Sequence, residues 1–186
     1  MGVQLQRHSF TAAEYHRMAE AGIFGEDDRV ELIAGEIVEM VPIGIRHASC
    51  VRRLIRPFSR GAGDRAVVDI QNPLRLEEHS EPQPDVVLLR PRADLYAGFH
   101  PGPEDVLLLV EVAETLAAVD REVKAPMYAR AGIPEVWLVD LERDRIEIHR
   151  QPSPQGYRDV RTARRGQTLS PVALPGLVLT VEAVLG

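Results

Sequence analysis

The stretch PDVVLLRPRADLYAGFHPGPEDVLLLVE, residues 84–111, contains two short aliphatic runs separated by residues rich in proline, glycine and charge. Each run is bounded by turn-forming residues, which is the pattern of a buried β-strand. We pair the runs as an antiparallel hairpin with Arg90 opposite Val106. In that register Asp85 and Glu111 lie directly opposite each other, with their side chains on the same face. Two adjacent carboxylates repel each other unless a cation lies between them, so this arrangement predicts a divalent metal site.

The next segment of the chain predicts a helix. ETLAAVDREVKAPMYARAG (114–132) is rich in helix-forming residues. Pro126 removes one backbone hydrogen bond and predicts either a bend or an early start of the helix there. Three polar side chains spaced four residues apart form one stripe on this helix: Asp120, Lys124 and Tyr128.

A third buried strand follows at IPEVWLVDL (133–141). Because a helix crosses over between them, the strands at 106–111 and 135–141 are predicted to be parallel neighbours. Other predicted elements are a helix at 9–21, a hairpin at 29–42, a helix at 47–63, a strand at 66–78 broken at Pro73, and strands at 145–150 and 157–162. Residues 1–186 are therefore predicted to form a single α/β domain, with a mixed central β-sheet flanked by helices.

Composition indicates a soluble protein of ordinary type. The chain has 186 residues, 45% hydrophobic content and a net charge of −6, which argues against tight, non-specific nucleic-acid binding. No apolar stretch approaches the length of a membrane span, and the N-terminal sequence lacks the apolar core of a secretory signal. A single cysteine excludes an internal disulfide and a multi-cysteine zinc site. We expect a cytoplasmic protein without membrane partners.

Arginine is concentrated in the segment 46–65, which holds six arginines and one acidic residue. Arg52, Arg56 and Arg60 recur every four residues and share one face if the segment is helical. This face is interpreted either as a solvated surface or as a set of contacts to a DNA backbone.

The predicted metal site suits phosphodiester hydrolysis. Asp85 and Glu111 offer the hard oxygen ligands that Mg²⁺ or Mn²⁺ prefers, and such a metal lowers the pKa of a bound water. A nearby ammonium group can orient the attacking water or stabilise a phosphate oxygen. Lys124 is the candidate, since it is the only lysine among 22 lysine and arginine residues.

These residues carry a resemblance to a known group of enzymes. Pro84 and Asp85, followed by Glu111, resemble the active-site motif of the PD-(D/E)XK nuclease superfamily, which has the restriction-endonuclease-like fold. The block EVAETLAAVDREVKAPMYARAGIPEVWLVD (111–140), with VELIAGEIVEM (30–40) upstream, is similar to a bacterial family of that superfamily described as "putative restriction endonuclease". The similarity extends from about Thr11 to the C-terminal residues.

The resemblance implies specific roles, with one departure. The superfamily motif has a lysine two residues after the second acid, where this chain has Ala113. The resemblance therefore implies that the lysine has migrated to the following helix, at Lys124. It also implies Glu31 as a third metal ligand, and His47 and Gln71 as groups that orient substrate or water. By analogy, the substrate is DNA and the protein is a homodimer.

Three functions stay open from the sequence. The leading hypothesis is a Mg²⁺- or Mn²⁺-dependent DNA endonuclease. The alternative is a catalytically inactive nucleic-acid-binding or assembly module on the same fold, which Ala113 and the negative net charge favour. A third possibility is a metal-dependent hydrolase of a small phosphorylated substrate. Simpler structural roles are a surface ion pair between Lys124 and Asp120, and core packing for Tyr128 and Trp137.

Overall fold

A six-stranded mixed β-sheet forms the centre of the protein. The computed structural model describes residues 7–25, 27–114 and 117–186. The helices are α1 (Ala12–Glu20), α2 (Ile45–Ala62), α3 (Ala117–Val119), α4 (Ala125–Arg130) and α5 (Val181–Leu185). The strands are β1 (Val30–Ile33), β2 (Glu36–Glu39), β3 (Val67–Asp69), β4 (Val86–Leu89), β5 (Val106–Ala113), β6 (Glu135–Asp140), β7 (Arg145–Ser153), β8 (Gly156–Arg164), β9 (Thr168–Leu169) and β10 (Leu179–Thr180).

The central sheet has the order β3-β4-β5-β6-β7-β8. Strands β5 and β6 are parallel, as the crossover helix predicts, and the other pairs are antiparallel. Helices flank this sheet, so the α/β fold with a mixed central sheet is confirmed. Strands β1 and β2 form a separate hairpin, in which Ala34 and Gly35 both have positive φ. In the ranges that the structure describes, the helices lack the length and apolar character that a bilayer span requires.

The register of β4 and β5 positions the two predicted carboxylates. Val86 pairs with Val110, so Asp85 and Glu111 are opposite each other just beyond the last pair. At the other end a bulge places Leu89, instead of Arg90, opposite Val106. The predicted register is therefore wrong at that end, because the bulge adds one residue to β5, but it is correct where the acids lie.

The sheet is covered on both faces, which explains why β4 is buried along its whole length. Val86 and Leu88 pack in one core with α2 and α5, and alternate residues of the same strand pack in a second core with α4. Asp85 and Glu111 follow the alternation of the second core and share its face of the sheet. Trp137 is fully buried, as predicted, and Cys50 is fully buried as well.

The predicted strand at 66–78 is much shorter in the structure, where β3 ends at Asp69. Gln71 has a φ of +52° and is followed by Pro73, so the backbone leaves the sheet before the predicted break. This early exit turns the Gln71 side chain toward Asp85, whose carboxylate it contacts.

The predicted helix at 114–132 is present as three consecutive segments, which we call the crossover helix. It consists of α3, a π-helical turn (Asp120–Lys124) and α4, and residues 115–116 lie outside the described residues. In the π turn, the N–H of Ala125 bonds to the carbonyl of Asp120. Pro126 has no N–H to donate, and it lies in the first turn of α4, directly after the π turn. The helical pitch therefore changes next to Pro126, and a bend there stays a prediction.

Candidate active site

A cavity of about 400 Å³ lies at the end of the sheet where β4 begins and β5 ends. Its lining includes every residue for which the sequence predicted a role in catalysis, metal binding or substrate orientation: Glu31, His47, Gln71, Asp85, Glu111 and Lys124. Acidic residues outnumber lysine and arginine in its wall by six to two. The acidic residues are Glu31, Glu39, Asp85, Glu111, Glu114 and Asp120, and the basic ones are Arg29 and Lys124. An excess of negative charge in a partly enclosed space attracts cations.

Asp85 and Glu111 are buried and connected to each other through the backbone. The N–H of Asp85 donates to Oε2 of Glu111 at 3.4 Å, and the N–H of Val112 donates to Oδ2 of Asp85 at 2.8 Å. These contacts hold both carboxylates where β4 begins and β5 ends, on the same face of the sheet.

Two side chains fix the orientation of the Asp85 carboxylate. His47, from the first turn of α2, lies 3.0 Å from Oδ2 through its Nε2, and the amide of Gln71 donates to Oδ1 at 3.1 Å. The hydrogen bond with Asp85 raises the pKa of His47, although burial opposes this. Nδ1 of His47 is buried and has no hydrogen-bond partner among the residues that the structure describes.

Lys124 extends from the π turn into the cavity and is buried. Its Nζ lies 2.9 Å from Oε1 of Glu31 and 3.3 Å from Oε1 of Glu111. A surface ion pair with Asp120 therefore does not describe its environment. The lysine of the crossover helix therefore contacts two of the carboxylates that the resemblance implied as metal ligands.

The stripe predicted on the crossover helix converges on Glu111. Tyr128 is buried in the core, as predicted, but its hydroxyl also donates to Oε1 of Glu111 at 2.6 Å. Asp120 lines the same cavity and was not nominated as a site residue. Asp120 lies four residues before Lys124, and this spacing in the sequence could have identified it as a site residue.

Burial and crowding of like charges shift the ionisation of this group. Burial raises the pKa of Glu111 above its ordinary range, and neighbouring carboxylates add to this against the opposing effect of Lys124. Burial likewise raises the pKa of Asp120. Burial lowers the pKa of Lys124, but the surrounding carboxylates together raise it further, so its ammonium stays charged.

The donor set fits a hard divalent cation, since buried carboxylates with surplus negative charge suit Mg²⁺ or Mn²⁺. Glu31 is held by Lys124 and by the backbone N–H of Gln83, which donates to Oε2 at 3.1 Å. Among the residues that the structure describes, three His, Cys, Asp or Glu side chains have ligand atoms within 4.8 Å of one another in one place, and that place is outside this cavity. A metal ion held by Asp85 and Glu111, with Glu31 as a third ligand, therefore stays a prediction.

The arginine face of α2 lies outside the cavity. Arg52, Arg56 and Arg60 are exposed, and the latter two line a separate cavity between α2 and the C-terminal segment. Arg29, which lines the acidic cavity itself, was not nominated from the sequence.

Comparison with known proteins places this geometry in context. Residues 12–182 match the sequence model of the family described as "Uma2: Putative restriction endonuclease". Among solved structures, the chain is similar to "a putative nuclease belonging to DUF820" from Anabaena variabilis ATCC 29413. The identity is 14% and the TM-score 0.72, with 95% of this chain and 97% of the other covered. No curated protein matches the chain.

Proposed function

Because this chain belongs to the Uma2 family of restriction-endonuclease-like nucleases, we propose that it is a Mg²⁺- or Mn²⁺-dependent endonuclease that hydrolyses DNA phosphodiester bonds. One observation carries the proposal. Carboxylates, a lysine and a histidine from five separate parts of the chain meet in one acidic cavity: Glu31, His47, Asp85, Glu111 and Lys124. Buried groups of this kind with displaced pKa values are typical of functional sites.

Asp85 and Glu111 would hold the metal ion, with Glu31 as a further ligand. When bound, the metal would lower the pKa of a water molecule and neutralise charge on the reacting phosphate. His47 and Gln71 act as positioning residues, because their hydrogen bonds fix both oxygens of Asp85.

Lys124 supplies the positive charge that Ala113 does not. Its ammonium donates hydrogen bonds to Glu31 and Glu111, and burial restricts its side chain to this part of the cavity. From there it would orient the attacking water or stabilise a non-bridging phosphate oxygen as negative charge accumulates.

The exposed arginines of α2 would contact the DNA backbone. At about 1.5 Å per residue, Arg52, Arg56 and Arg60 lie about 8, 14 and 20 Å along the helix axis from His47. A basic row that leads away from the cavity suits successive phosphates on one side of a cut. Replacing Arg52 and Arg56 with alanine should reduce the salt dependence of DNA binding by about one unit of slope per lost contact.

Metal-dependent cleavage of supercoiled plasmid tests the activity. We expect nicking that requires Mg²⁺ or Mn²⁺, stops in EDTA and is lost in Asp85→Asn, Glu111→Gln and Lys124→Met. Matched controls are Glu122→Gln and Arg130→Met, which change exposed residues of the crossover helix and should stay active. Full activity in Asp85→Asn or Glu111→Gln would contradict the assignment.

A catalytically inactive nucleic-acid-binding module is the second candidate. The observation that favours it is the double ion pair of Lys124, which already compensates Glu31 and Glu111 without a metal. Calorimetry separates the two: salt-sensitive DNA binding without any Mn²⁺ binding would select the module. A homodimer is also proposed, because cleavage of both strands needs two cuts, and light scattering in solution measures it.

A further inference from the structure

A second cluster of ligand-type side chains lies away from the acidic cavity. His16 comes from α1, Glu81 from the segment that precedes β4, and His100 from the connection between β4 and β5. Each residue offers one ligand atom, and these atoms all lie within 4.8 Å of one another. None of the three lines the acidic cavity.

The two histidine rings face each other across this cluster. Their centroids are 5.4 Å apart with an interplanar angle of 30°, and Nε2 of His16 lies 2.7 Å from Oε1 of Glu81. His16 is half-buried and His100 is exposed, so the cluster is open to solvent on one side. The two histidines are at least partly exposed and lie close to the buried carboxylate of Glu81, so small rotations of their rings would let the three side chains share an ion.

One carboxylate oxygen of Glu81 lacks a hydrogen-bond partner, which is the strongest indication that this cluster binds an ion. The residue is 1% exposed, yet its Oε2 has no hydrogen-bond partner among the residues that the structure describes. A buried carboxylate oxygen without a partner is costly, and native proteins satisfy such groups with a hydrogen bond, a water or an ion. The hydrogen bond from His16 accounts for only one of its two oxygens.

We propose that His16, Glu81 and His100 form a second metal site that binds Zn²⁺. Two imidazole nitrogens with one carboxylate oxygen are a common zinc donor set, with a fourth position left to water. The ligands proposed in the acidic cavity, Asp85, Glu111 and Glu31, are all carboxylates and therefore favour Mg²⁺ or Mn²⁺ instead.

A zinc ion here would connect parts of the chain that are far apart in sequence. The backbone of Glu81 pairs with Leu32 of β1, the residue next to Glu31. The ion would therefore tie α1 and the β4–β5 connection to the strand that carries Glu31, and it would stabilise the fold beside the active cavity.

Titration of the EDTA-treated, dialysed full-length protein with ZnCl₂ tests the proposal by calorimetry. We expect one zinc ion per chain at this site and a rise in the melting temperature. His16→Ala and His100→Ala should each weaken binding by at least about 10-fold, since even indirect support of a metal ligand contributes that much. Co²⁺ should give the visible absorption of a low-coordinate site, which both variants lose.

Two controls separate this site from the acidic cavity and from non-specific binding. The double variant Asp85→Asn/Glu111→Gln should retain the zinc affinity, and His8→Ala should leave it unchanged because His8 is exposed and outside the cluster. Because His100 is exposed, His100→Ala should fold even where a Glu81 variant does not. Equal zinc affinity in wild type and His16→Ala/His100→Ala, or loss of zinc binding in the cavity variant, would overturn the proposal.

Discussion

Replacing Lys124 with methionine keeps the length and apolar stem of the side chain but removes its charge. The ammonium lies 2.9 Å from Glu31 and 3.3 Å from Glu111, and all three side chains are at most 11% exposed. Methionine therefore leaves two carboxylates buried without their cation. Removing one partner of a buried ion pair costs about 3–5 kcal/mol, and we expect Lys124→Met to lower the free energy of unfolding by this amount.

The expected loss depends on pH. Burial already raises the folded-state pKa of Glu111, and the variant removes Lys124, which opposes this, so the pKa of Glu111 rises further above its unfolded value. The folded state then binds more protons than the unfolded state, so the variant is most stable at low pH and loses stability as pH rises. The difference from wild type should be larger at about pH 8 than at about pH 5.

Urea unfolding followed by Trp137 fluorescence measures this effect, because Trp137 is the only tryptophan and is fully buried. For a chain of this size, each kcal/mol corresponds to about 2–4 °C, so the melting temperature should fall by about 6–20 °C. Arg130→Met, an exposed position on the same helix, should change stability by less than about 0.5 kcal/mol. A loss below about 1 kcal/mol for Lys124→Met near neutral pH would refute the reasoning.

Three further changes test single contacts. The raised pKa of Glu111 means that its stabilising contribution is full below the unfolded pKa and is lost as pH rises through the folded pKa. The free energy of unfolding of Glu111→Gln, measured by urea titration, should therefore increase relative to wild type as pH rises. The same pH dependence in both proteins would contradict this. Tyr128→Phe removes the hydroxyl that donates to Glu111 at 2.6 Å and should cost about 1.5–3 kcal/mol; a loss under about 0.5 kcal/mol would show that this hydrogen bond contributes little. Ala34→Asn should stabilise the β1–β2 hairpin by about 0.5–1 kcal/mol, because Ala34 has a φ of +50° that asparagine adopts more readily; calorimetric melting that shows no gain would argue against strain there.

The sequence predicted most of the elements and the pair of acids, but not the early end of β3 at Asp69. Aliphatic runs, turn residues and helical spacing are local patterns, and they placed β4, β5, β6 and the crossover helix correctly. The register at Asp85 was an assumption, because both faces of β4 and β5 are aliphatic and a shift by one residue would leave the same pattern. The structure confirms it at that end, where Val86 pairs with Val110. The bulge near Leu89 was not predictable from the same pattern, since both core-facing and partly buried positions of β5 are aliphatic.

Only the tertiary structure shows which side chains from distant parts of the chain lie close together. The sequence suggested that Lys124 could replace the lysine missing at position 113, but only the packing of the crossover helix shows its ammonium between Glu31 and Glu111. The same holds for the cluster of His16, Glu81 and His100, whose members come from three segments with no shared motif. Local patterns reflect interactions between neighbours in the chain, whereas a site depends on which segments pack together, and that depends on burial across the whole molecule.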